Sequence, residues 1–217
     1  AASDVYKRQP EENYSLSFVG EENTPLIRVI NGSEEENHYI IKRGDVWELA
    51  TPKNIASFDY QDNDEEGLFF LTNFEAPNYR LVKILYTGEV VEIIPETDLA
   101  LKSISILDDF IITNSINTDM NSMVEFYSKD GVLLDFKIPD DIEGTLSSFS
   151  MYKDKLRFSV SNFINPTRYI DLDLNTLDYT ILWQDKVSNF NPADYEKTFT
   201  YYCLLYTSDA ADDETSV

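Results

Sequence analysis

Residues able to do acid–base, nucleophilic or metal chemistry are few and scattered in this 217-residue chain. The single histidine, His38, is followed directly by the apolar run Tyr39-Ile40-Ile41. A general base needs a nucleophile and an orienting acid beside it in space, so His38 reads as an ordinary strand residue. Asp62-Asn63-Asp64-Glu65-Glu66-Gly67 offers oxygen ligands and a sixth-position glycine, as a calcium loop does. Its twelfth position is Asn73 instead of a bidentate glutamate, and a solvated acidic turn is expected. Glu21-Glu22, Glu34-Glu35-Glu36 and Asp140-Asp141 could attract basic peptides, but charge runs of this kind read as solvated loops. Asn13-Tyr14-Ser15 and Asn31-Gly32-Ser33 are formal glycosylation acceptors that arise often by chance. No catalytic, cofactor-binding or metal-ligating residue is assigned, and no cofactor is expected.

The two ends carry a signal of a different kind. A DNA sequence that encodes Ala1 to Gln9 has a reverse complement which, read one base out of frame, encodes Cys203 to Ala211. That word resembles a transposase adaptor used to prepare sequencing libraries, so residues 1–9 and 203–217 are expected to be adaptor translation and are set aside. The remaining text, Pro10 to Tyr202, is expected to be cut from a longer gene. It has no cysteine, which removes disulfides and thiolate chemistry. Across the whole chain 40 Asp and Glu face 17 Lys and Arg, a net charge of −23. Such acidity excludes a phosphate-binding stripe, hence no nucleic-acid partner. No apolar run approaches the ~20 residues that cross a bilayer, hence no membrane partner.

What must position these residues is a set of short strands. Leu156, Phe158 and Val160 alternate with Arg157 and Ser159, and Ile104 and Ile106 with Ser103 and Ser105, the period-2 signature of a half-buried strand. Four kinds of strand then recur at a period of about 41 to 48 residues. First strands are expected at Ser57 to Tyr60, Ser103 to Ile106 and Ser148 to Met151. Second strands end in Thr72-Asn73, Thr113-Asn114 and Ser161-Asn162. Third strands fall at Tyr79 to Ile84, Met123 to Ser128 and Arg168 to Asp173. Fourth strands fall at Val90 to Ile94, Val132 to Ile138 and Tyr179 to Trp183. Tight turns at Thr87-Gly88, Asp130-Gly131 and Asn175-Thr176 join third to fourth, with glycine and Asn supplying positive φ. A less regular unit precedes them, with Tyr39 to Lys42 and Val46 to Leu49 around Arg43-Gly44-Asp45. Four strands at this period predict an all-β, partial β-propeller of three to four antiparallel blades, about 14–50, 56–95, 102–139 and 145–183 within 10–184. Trp47 and Trp183, on outer strands, are expected in blade-to-blade packing. Ser128-Lys129-Asp130-Gly131 is similar to the Asp-box of sialidase propellers but lacks its spacing and aromatic, and reads as a hairpin turn.

The stretch Phe70-Leu71-Thr72-Asn73-Phe74-Glu75-Ala76-Pro77-Asn78-Tyr79-Arg80-Leu81 resembles the N-terminal propeller of the prolyl oligopeptidase family. Ser161-Asn162-Phe163-Ile164-Asn165-Pro166-Thr167-Arg168-Tyr169 is similar to that family's last blade, and Phe190-Asn191-Pro192-Ala193-Asp194-Tyr195-Glu196 to the connection leaving it, so 185–202 reads as that connection. Asp130 to Leu134 with Ile138-Pro139 matches a family hairpin. The resemblance implies a seven-bladed ring capping a C-terminal α/β-hydrolase domain of the same parent chain. It also implies a serine endopeptidase that cleaves short peptides after proline, the propeller restricting access of large substrates. The implied setting is cytoplasmic, with the periplasm as alternative. The family's Gly-x-Ser-x-Gly-Gly elbow has no counterpart here, since no Gly-x-Ser occurs in the chain. The triad therefore lies outside this text, and the propeller itself is expected to be non-catalytic. The alternative reading is a non-catalytic propeller platform that binds protein or carbohydrate.

Blades bury both faces only against neighbours, so three or four should leave apolar faces open at each end. At ~25 cal/mol per Å², several hundred open Å² cost several kcal/mol, comparable with a domain's whole stability. The expected outcome is that the isolated chain expresses poorly or aggregates; a monomer unfolding cooperatively in calorimetry contradicts it.

Overall fold

The computed structural model describes residues 14–19 and 24–198. Residues 1–9 and 203–217, read above as adaptor translation, lie with Asn13, Glu21, Glu22 and Tyr202 outside the described residues. Among the described residues sixteen strands form four separate four-stranded sheets, and each sheet is an antiparallel meander in sequence order. Blade 1 is β1 (Tyr14–Phe18), β2 (Leu26–Asn31), β3 (Asn37–Arg43) and β4 (Val46–Leu49). Blade 2 is β5 (Phe58–Asn63), β6 (Gly67–Thr72), β7 (Arg80–Leu85) and β8 (Val90–Ile94). Blade 3 is β9 (Leu101–Ile106), β10 (Ile111–Ile116), β11 (Ser122–Tyr127) and β12 (Leu133–Leu134). Blade 4 is β13 (Thr145–Tyr152), β14 (Lys155–Ser161), β15 (Arg168–Leu172) and β16 (Tyr179–Gln184). A single 3-10 turn, Pro192–Asp194, follows, and no α-helix occurs among the described residues. The fold is a partial β-propeller, as the repeat predicts.

Side-chain alternation builds the joints between blades. In β6, Leu68 and Phe70 point toward blade 1 and share a buried cluster with Leu26, Tyr39 and Ile41. Their neighbours Phe69 and Leu71 point the other way, into a cluster with Leu101, Ile104 and Ile111 of blade 3. A third cluster joins Ile112 and Phe126 of blade 3 to Leu156, Phe158, Val160, Ile170 and Leu172 of blade 4. There are thus three apolar cores for three joints. Buried polar groups fix the register of the first and third joints: Asn37 Oδ1 accepts from Phe58 N at 3.1 Å, and Tyr39 Oη accepts from Tyr60 N at 3.3 Å. Asn114 Nδ2 donates to Leu146 O at 2.9 Å. The strand β5 lies against β9, so first strands converge where blades meet.

Two expectations from the sequence are corrected. The fourth strand of blade 3 pairs only at Leu133 and Leu134 instead of running from Val132 to Ile138. Phe136 and Ile138 turn inward onto the cluster between blades 3 and 4, with the Phe136 ring 5.8 Å from Phe126 and 5.9 Å from Phe110. Burying that aromatic outweighs the ladder bonds of an edge strand. In the β15–β16 turn the positive φ falls on Leu177 (61°), not on Asn175. Asp173 Oδ1 accepts from Asn175 N and Thr176 N, which winds the turn and leaves Leu177 to reverse the chain.

Gly88 and Gly131 occupy equivalent turns with φ of 92° and 81°, yet their surroundings differ. A Cβ at Gly88 meets nothing within 4 Å, whereas at Gly131 it lies 1.9 Å from Ile93 O of the neighbouring blade. Gly88→Ala should cost about 1 kcal/mol, from backbone strain alone. Gly131→Ala should cost about 2–4 kcal/mol, because the hairpin must also retreat from blade 2. Urea midpoints of the two variants check this ordering.

Candidate functional site

The meander topology sorts the loops to two ends of the blades. One end collects the second-to-third-strand turns, the blade-to-blade connections and the chain leaving β16. In blades 2 and 4 the residues closing the second strand act there as a clasp, whereas Thr113-Asn114 of blade 3 lies inside β10, which runs on to Ile116. Thr72 Oγ1 donates to Ser57 O at 2.7 Å, and Asn73 Oδ1 accepts from Ser57 N at 2.8 Å, tying the end of β6 to the strand that enters blade 2. Asn162 does the same in blade 4, with Nδ2 donating to Glu143 O at 3.3 Å and Oδ1 accepting from Ile164 N and Asn165 N. Asn78 Nδ2 donates to Thr97 O at 3.0 Å on the connection from blade 2 to blade 3. Beside the Asn162 turn lies an apolar groove of about 620 Å³ lined by Phe163, Ile164, Phe190 and Tyr195 with Glu196 and Lys197. Its wall is shaped by the 3-10 turn, which Asn191 caps, and by the Phe190 and Tyr195 rings stacked 4.9 Å apart. Phe163 stands 74% exposed at its lip.

The opposite end collects the hairpins, and there the acidic turn finds a partner. Lys83, buried on β7, places Nζ 2.7 Å from Asp64 Oδ2, 2.6 Å from Glu66 Oε2 and 5.3 Å from the centre of the Phe69 ring. Asp64 Oδ1 accepts from Glu66 N at 2.9 Å and Gly67 N at 3.0 Å. Partial desolvation pushes the Asp64 carboxyl up, but bonds from Lys83 and the two backbone N–H groups outweigh it and hold the group low. Desolvation pushes the Lys83 ammonium down, and its two carboxylate bonds outweigh that and hold it high. Asp64 and Glu66, two of the four carboxylates of the calcium-like stretch, are thus turned onto an ammonium. They edge a cavity of about 490 Å³ between blades 2 and 3, floored by Phe69, Leu85, Val91 and Ile93.

A model for the prolyl oligopeptidase N-terminal β-propeller domain matches residues 5–185. The chain belongs to that family. Across 161 residues it is 28% identical to a prolyl endopeptidase of Dictyostelium discoideum, covering 68% of this chain and 21% of that protein. It is 24% identical over 169 residues to the dual function macrocyclase-peptidase POPB of Galerina marginata, covering 75% and 23%. The chain therefore spans less than a quarter of the length of these curated relatives. The solved prolyl oligopeptidase B of Galerina marginata, bound to a 35mer hydrolysis and macrocyclization substrate, superposes with a TM-score of 0.74 at 21% identity, over 89% of this chain and 29% of that one. A structure from an analysis of two prolyl endopeptidases gives 0.67 at 22% identity, over 85% and 28%.

The other acidic, histidine and tryptophan residues take structural places. His38 is buried in β3, its Nδ1 2.7 Å from Oδ1 of Asn54, whose φ of 51° bends the link to blade 2. Glu34, Glu35 and Glu36 are exposed in the β2–β3 loop. Asp141 accepts from Tyr179 Oη at 2.6 Å and fastens the connection before β13 to β16. Ser128 to Gly131 closes the β11–β12 hairpin, with Ser128 Oγ accepting from Val132 N. Trp47 and Trp183 each lie on a fourth strand and meet a ring of their own blade, 6.3 Å from Phe18 and 5.9 Å from Tyr169, outside the three joints of the described residues.

Lys83 and the Arg157–Asp171 pair were not legible as partners. The signal for Lys83 was a lone cation in Leu81-Val82-Lys83-Ile84-Leu85, a third strand that pairs with the strand leaving the acidic turn. A group whose carboxyl is held low by folding stabilises fully above its unfolded value near 3.8 and loses that contribution as pH falls through its lower folded value. Asp64→Asn should therefore cost roughly 0.5–1 kcal/mol at pH 7, discounted for exposure. Urea midpoints of variant and parent should converge as pH drops below that value, and a gap that persists in acid rejects the ion-pair account.

Proposed function

We propose that this propeller is the substrate-gating part of a prolyl-oligopeptidase-like serine endopeptidase that hydrolyses short peptides after proline. The family match over residues 5–185 carries the reading. In the proposal a C-terminal α/β-hydrolase domain of the same parent chain supplies the Ser-Asp-His triad, and the parent enzyme works in the cytoplasm. Acyl transfer to that serine, then hydrolysis, needs no metal or organic cofactor.

The blades contribute a wall. Side chains buried to within a few per cent at all three joints make the sheets a rigid, close-packed screen. A close-packed screen excludes a folded protein by size while an unfolded peptide passes by thickness. The end that bears the clasped connections also bears the chain leaving β16, which supports placing the hydrolase domain over that end. The apolar groove of Phe163, Ile164, Phe190 and Tyr195 offers it a contact.

A chimera tests the proposal. Residues 24–185 replace the matching stretch of the Dictyostelium discoideum prolyl endopeptidase, and cleavage is followed on a short proline-containing peptide and on a folded proline-containing protein. The expected outcome is post-proline turnover of the peptide within about tenfold of the parent enzyme, a loss of barely 1.4 kcal/mol, with the folded protein left intact. A folded chimera that cuts both substrates alike rejects gating, and the 217-residue chain by itself should turn over neither.

A further inference from the structure

We draw no further inference here: the strongest candidate, the cavity between the hairpins of blades 2 and 3 edged by Asp62, Asp64, Glu66 and Asp130, is an acidic cluster whose one buried polar side chain, Lys83, is already held by Asp64 and Glu66, so that no unpartnered buried group among the described residues points to a ligand there.

Discussion

A four-stranded sheet whose side chains alternate between two apolar faces escapes water only by meeting another sheet on each side. That two-sided burial is what every other feature of this molecule serves. It explains why β6 is buried along its whole length, Leu68 and Phe70 facing one neighbour and Phe69 and Leu71 the other. It explains why the three cores lie between blades and not within them. A blade has no interior of its own, and the stability of each depends on its siblings.

Polar groups fix what apolar burial leaves loose. Hydrophobic contact tolerates sliding, but Asn37 bonded to Phe58 N and Asn114 bonded to Leu146 O admit one register only. The clasps at Asn73 and Asn162 hold strand ends to connections, so the loops at that end sit at set heights. Gly131 adds a steric condition, since the backbone of one blade rests where a Cβ would be. The charged residues fit the same pattern: Lys83 and Arg157 are each held against carboxylates in fixed geometry.

The unlike outer faces show how one architecture is given direction. Blades 2 and 3 are apolar on both sides, blade 4 is apolar inward and polar outward, and blade 1 is apolar outward as well. The substitution pattern responsible is small. Arg157 and Ser159 stand in β14 where blade 2 has Phe69 and Leu71 in β6, and Asp171 pairs with Arg157 where Lys83 pairs with Phe69.

The amino-acid sequence determined the class and the repeat, because alternation and turn chemistry are local: Val90–Ile94 and Val46–Leu49 form strands as their residues dictate. It also determined the family, through Phe70 to Leu81 and the Asn162 segment, and the absence of a Gly-x-Ser elbow. Tertiary structure alone decided whatever depends on residues distant in sequence. Phe136 leaves its strand because a core lies beneath it, and Lys83 finds Asp64 and Glu66 across two strands. Local propensity cannot register such choices, since each is set by which face another sheet covers.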